Sequence, residues 1–156
     1  MDHEQFLRQA IELAATGMRQ GRGGPFGCVI VRHGVVVGRG SNEVTSSNDP
    51  TAHAEVVAMR AACRELGTFR LDDCTLYTSC EPCPMCLAAV YWARIPTLFY
   101  GNRRSDAASI GFDDELIYTE LARPIGERRL RMQELLRDEA LAGFREWAAK
   151  GDRTPY

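Results

Sequence analysis

The chain has 156 residues, 45% of them hydrophobic, which is enough apolar material for one compact domain. A formal net charge of −2 and a pI near 5.9 argue against a strong nucleic-acid footprint, which is usually basic. No apolar run reaches membrane-spanning length, and Met1-Asp2-His3-Glu4 lacks the basic start of a signal peptide. With no export signal, the protein is expected in the cytoplasm with its six cysteines reduced.

In chain order, residues 2–20 read as an amphipathic helix, capped by Asp2, with Phe6, Ala10, Leu13 and Ala14 at helical spacing. Gly21 to Pro25 breaks it. Phe26–Arg32 reads as a buried strand, His33-Gly34 as a turn, and Val35–Gly40 as the hairpin partner. Val44 to Pro50 reads as a polar loop before a helix that runs from His53 to about Leu66. A strand follows over Cys74–Thr78, then a helix from Cys83 through Trp92. Pro96 opens a strand over Thr97–Tyr100. Gly101 to Asp114 reads as irregular, Glu115–Leu121 as a short helix and Arg129–Met132 as a last strand. Gln133–Lys150 reads as a second amphipathic helix. Strand–helix–strand units after a hairpin predict a sheet with helices on both faces. The basic clusters Arg103-Arg104 and Arg128-Arg129-Leu130-Arg131 sit among acidic residues and read as solvated faces.

Two short stretches carry the chemistry. Thr51-Ala52-His53-Ala54-Glu55 supplies H-x-E, and Glu81-Pro82-Cys83-Pro84-Met85-Cys86 supplies P-C-x-x-C. Together they match the signature of zinc deaminases. A catalytic zinc takes three protein ligands and keeps a fourth position for water. His53, Cys83 and Cys86 offer one nitrogen and two sulfurs. Cys83 and Cys86 share a helix face at their spacing of three. Pro84 suits the first helical position, which puts Cys83 at the cap, where the helix dipole favours a thiolate. Glu55 remains as a free carboxylate beside the metal, suited to moving protons. Two other readings stay open at this point. Cys80 extends the cysteine run to C-x-x-C-x-x-C, so a closed four-ligand zinc site or an iron–sulfur centre is conceivable.

Beyond these motifs, the chain resembles the cytidine deaminase-like superfamily and, within it, the short bacterial guanine deaminases. The likeness rests on Gly23-Gly24-Pro25-Phe26-Gly27, the stretch Ser47 to Glu55, the stretch Tyr77 to Cys86, Tyr91-Trp92-Ala93-Arg94, Gly111-Phe112-Asp113-Asp114 and the terminal Tyr156. The resemblance implies an α/β fold, a three-layer α/β/α sandwich around a central five-stranded mixed sheet. It implies zinc on His53, Cys83 and Cys86, with Glu55 as proton shuttle. Asp114 matches an acidic residue that joins in proton transfer, and Asn42 and the Ala54 backbone match groups that hydrogen-bond the purine. Phe26 and Trp92 match positions lining the base pocket. The family forms homodimers that exchange C-terminal segments, here about residues 133–156, and Tyr156 matches the residue that closes the neighbour's pocket. The implied substrate is a small purine, guanine, and the implied products are xanthine and ammonia. A tRNA adenosine deaminase shares both metal motifs and is the rival, together with deaminases of guanosine, cytosine or triazines.

Overall fold

The computed structural model describes residues 2–156. Two compact units divide the chain, one ending at Asp114 and the other spanning Glu115–Tyr156. The first unit is built on a four-stranded sheet: β1 (Gly27–Arg32), β2 (Val35–Ser41), β3 (Cys74–Cys80) and β4 (Thr97–Asn102), in the order β2-β1-β3-β4. β1 is antiparallel to both β2 and β3, while β3 and β4 are parallel. A parallel pair needs a crossover, and α4 (Pro84–Trp92) provides it.

Alternation along β1 and β3 sends side chains to two faces, and each face has its own core. On one, α1 (His3–Arg19) lays Phe6 and Ala10 against Val29, Val31 and Tyr77. Asp2 caps this helix by accepting the Gln5 N–H at 3.0 Å. On the other face, Cys28, Ile30, Cys74 and Leu76 meet Ala54, Ala58 and Ala62 of α3 (Ala54–Leu66) and Val90 of α4. Because both faces are covered, β1 reads as a continuous apolar run rather than an alternating one. Burying Ile30, Leu76 and Tyr77 completely contributes about 1.5–3 kcal/mol each.

Glycines on β2 fix where α3 begins. A Cβ at Gly40 would lie 2.4 Å from the Ala54 carbonyl oxygen, and one at Gly38 would lie 2.4 Å from that of Ala58. Only a strand bare at both positions lets the helix backbone settle this close. Larger residues at either position would lift the start of α3, and His53 and Glu55 with it.

The structure departs from the sequence reading in four places. Val44–Ser47 forms a short helix, α2, inside the expected loop. Arg104–Ser109 forms α5, with the Asp106 carboxylate accepting the Arg103 N–H at 2.8 Å. The expected strand at Arg129–Met132 is absent, so the sheet has four strands rather than five. Its first backbone N–H is engaged locally instead, the Arg129 N–H donating to Glu120 at 2.6 Å, while the neighbouring Arg128 guanidinium donates to the carbonyls of Arg123 and Leu121. The last helix, α7, starts at Arg137 rather than Gln133 because Leu136 is left-handed, with φ of 53°. The second unit also holds α6 (Glu115–Ala122) and a 3-10 turn at Ile125–Glu127. No helix among the described residues is long and apolar enough to cross a membrane.

Candidate metal and catalytic site

Two helix starts make the site. His53 is the N-cap of α3 and Cys83 the N-cap of α4, both in extended backbone, and neither side chain is used for capping. Pro84 occupies the first turn of α4, where its missing N–H costs nothing. The chain into α3 is shaped by Asp49, whose carboxylate accepts the N–H and hydroxyl of Thr51 at 2.8 and 2.7 Å. Asp49 also takes an exposed contact from Arg60 at 3.4 Å.

The two helices bring three donors together. Cys83 Sγ lies 3.5 Å and Cys86 Sγ 3.6 Å from His53 Nδ1, and all three donor atoms fall within 4.8 Å of one another. A tetrahedral zinc with ordinary bond lengths sets sulfur and nitrogen ligands about 3.6 Å apart. The donors therefore already stand at the spacing that such an ion requires, and their N/S₂ chemistry suits a borderline-soft cation.

The Cys83 thiol is lowered to about 4, chiefly because Cys86 donates a hydrogen bond to it and His53 adds another. Cys86 is pushed up by the same hydrogen bond and by burial. His53 is raised, first by its hydrogen bond to Cys83. Cys80 is excluded from this group. It is buried, its Sγ points to the Arg103 carbonyl at 3.7 Å, and burial raises its thiol to about 11. The closed four-ligand and iron–sulfur readings fail for that reason.

Glu55, two residues into α3, is 5% exposed. One carboxylate oxygen, Oε1, accepts the Thr78 hydroxyl at 2.8 Å; the other, Oε2, lies 3.4 Å from Cys86 Sγ. Burial raises its pKa, and the Thr78 hydrogen bond partly opposes this. The carboxylate is thus dry, anchored at one end and beside the metal donors at the other. Asp114 is also raised by burial, with Arg104 at 4.0 Å pulling the other way and the Cys83 thiolate adding to the rise.

A second polar and aromatic group, Asn42, Phe26 and Phe112, gathers around Gly24. Asn42 is buried, and its Oδ1 accepts the N–H groups of Gly24 and Val44 at 3.3 and 3.2 Å. Phe26 passes its carbonyl to the Asn42 N–H at 3.0 Å and packs its ring edge-on against Phe112, centroids 4.9 Å apart. Ala54 is fully buried at the first position of α3, where a backbone N–H has no intrahelical partner. Trp92 ends α4, about 13.5 Å along the axis from Cys83, and is 69% exposed. Tyr156 ends the second unit, 73% exposed.

Three contributors escaped the sequence reading as site residues: Thr78, Arg104 and Phe112. Thr78 had a readable signal, a hydroxyl on the face of β3 otherwise made of Cys74, Leu76 and Cys80. Phe112 lies within Gly111-Phe112-Asp113-Asp114, noted only as a marker. Arg104 reaches Asp114 across a helix that has no apolar periodicity to announce it.

Residues 1–102 match the model of the cytidine and deoxycytidylate deaminase zinc-binding region. The chain belongs to this deaminase family. Guanine deaminase of Bacillus subtilis (strain 168) is 51% identical over 156 residues, covering all of both chains. The X-ray structure of guanine deaminase from Bacillus subtilis superposes with a TM-score of 0.97, covering 100% of this chain and 99% of that one. A structure of guanine deaminase from Nitrosomonas europaea is 32% identical, with a TM-score of 0.67 over 90% of this chain and 81% of that one. The tRNA-specific adenosine deaminase of Aquifex aeolicus (strain VF5) is 39% identical over 100 residues, 64% of this chain and 66% of its own. The family model stops at the end of β4, so Phe112, Asp114 and Tyr156 lie beyond it.

Proposed function

We propose that this protein is a zinc-dependent guanine deaminase, an aminohydrolase that converts guanine and water to xanthine and ammonia. The observation that carries the reading is the full-length likeness to a guanine deaminase, 51% identical with a TM-score of 0.97, around a three-donor site that holds a buried free carboxylate. His53, Cys83 and Cys86 are the zinc ligands. Bound there, zinc supplies a Lewis acid that lowers the pKa of a water molecule.

The chain's own residues do the rest. Glu55 takes a proton from the water whose oxygen bonds to C2 of the purine. It passes that proton to the ring nitrogen; the second proton, released by the C2 hydroxyl as it becomes the carbonyl of xanthine, goes by way of Glu55 and Asp114 to the amine, which leaves as ammonia when the C2–N bond breaks. A carboxylate whose pKa burial has raised is well matched to both halves of that transfer. The Asn42 NH₂ and the Ala54 N–H orient the purine by its polar edge. Phe26, edge-on to Phe112, supplies an apolar side that excludes bulk water.

Trp92 lines the base pocket with Phe26, and the protein acts as a homodimer that exchanges residues of about 133–156, with Tyr156 closing the partner's pocket. The exposure of apolar residues on the last helices supports this arrangement. No residue of α6 or α7 is buried, and Phe144 is 76% exposed. Such faces need a partner surface. The cytoplasm suits a chain whose cysteines are all free thiols.

Incubating the zinc-loaded protein separately with free guanine and with tRNA tests the reading. Xanthine and ammonia are expected from guanine, with no inosine formed in the tRNA. Inosine in tRNA without xanthine from guanine would replace the reading with the tRNA adenosine deaminase one. Ammonia from guanosine, cytosine or a triazine in preference to guanine would move the substrate within the same chemistry.

A further inference from the structure

β3 carries one polar side chain in an apolar place. Cys74, Leu76, Thr78 and Cys80 alternate onto the face covered by α3 and α4, and all are buried. Thr78 has no exposed surface, and Val would fill the same volume there without a hydroxyl to desolvate. The hydroxyl has one hydrogen bond, to Glu55 Oε1 at 2.8 Å. Two features make that contact a fixed clamp. A β-branched side chain is stiff about its first torsion. The strand beneath it is paired on both sides, at Cys28 of β1 and Tyr100 of β4.

We infer that Thr78 is a positioning residue for the reaction: it holds Oε1 of Glu55 so that Oε2 alone faces the metal donors and moves the proton. This rests on the deaminase reading above. A carboxylate has two equivalent oxygens and rotates easily about its last bond. Anchoring one oxygen makes the other the working atom. It also keeps the carboxylate plane in a single orientation through both proton transfers. Oε2 stands 3.4 Å from Cys86 Sγ, on the side of the three donors, while Oε1 is turned to the sheet. Without the clamp, the carboxylate spends part of its time in orientations from which no proton reaches the substrate. Proton transfer depends on placement at the ångström level, and such misplacement lowers turnover rather than binding.

Thr78→Val and Thr78→Ser separate this role from a structural one. Val keeps the shape and loses the hydroxyl; Ser keeps the hydroxyl and loses the methyl. Each variant is purified with zinc and measured for zinc content, melting temperature, kcat and KM on guanine. The expected result is a crossed order. Val matches or exceeds Ser in melting temperature, yet its kcat falls about 10- to 100-fold with KM within about threefold of the parent. Ser keeps kcat within about threefold of the parent. Zinc content stays at the parent's level in both. The inference is overturned if Val keeps the parental kcat, if Ser is as slow as Val, or if the loss appears in KM alone. Should Val fail to fold, Thr78→Ala against Thr78→Ser gives the same hydroxyl comparison. A parent protein inactive on guanine defeats the deaminase reading instead, and so the two failures are distinguishable.

Discussion

Residues 51–86 and residues 115–156 treat their side chains in opposite ways. In the first stretch, the polar groups around the metal donors are buried or half-buried and committed: Glu55 to Thr78 and Cys86, His53 to the two thiols, Cys80 to a backbone carbonyl. In the second, large apolar residues such as Leu135, Phe144 and Trp147 are exposed, and neither helix buries a residue. The contrast separates two tasks. The first stretch builds a reactive centre, and desolvation there sharpens every electrostatic interaction. The second offers surface, and apolar surface acquires a purpose when something covers it.

That division can be broken at either end. The largest effect is expected from Glu55→Gln, which keeps the volume and the hydrogen bond from Thr78 but removes the proton carrier. Turnover of guanine should fall by about 10³-fold or more while zinc content is unchanged. Normal turnover in that variant would remove Glu55 from the mechanism. A smaller effect is expected from a chain that stops at residue 132. On the proposed C-terminal exchange it should sediment as a monomer, and its kcat/KM should fall about 10- to 100-fold, with zinc still bound to the first unit. A truncated chain that stays dimeric and fully active would deny the C-terminal segment both its roles.

Much of this contrast is legible in the residues themselves, and the reasons differ by element. The convergence of His53, Cys83 and Cys86 is local chemistry repeated twice. Each half-motif places its ligand at or just inside a helix start, and the helix starts are signalled by Pro84 and by the alanine run after His53. The helix–hairpin–helix–strand–helix–strand order follows from periodicity and breakers, and both sheet faces are covered. The fifth strand is where that logic fails. Arg129–Met132 has the composition of a short strand, but Glu120, nine residues earlier, takes the Arg129 N–H that a neighbouring strand would have used. Pairing is decided by partners, and a strand-like composition names none. Thr78 and Arg104 fail to announce themselves for a related reason. Each matters only through one contact, with Glu55 and with Asp114, between residues 23 and 10 positions apart.

The most direct test is on the metal centre itself. Replacing the native ion with cobalt and recording the visible and near-ultraviolet spectrum counts the thiolates and reports whether a coordination position is open. The account predicts two thiolates from Cys83 and Cys86, one imidazole from His53, and a spectrum that shifts when a small anion is added. Three thiolates, with Cys80 drawn in and no response to the anion, would contradict it.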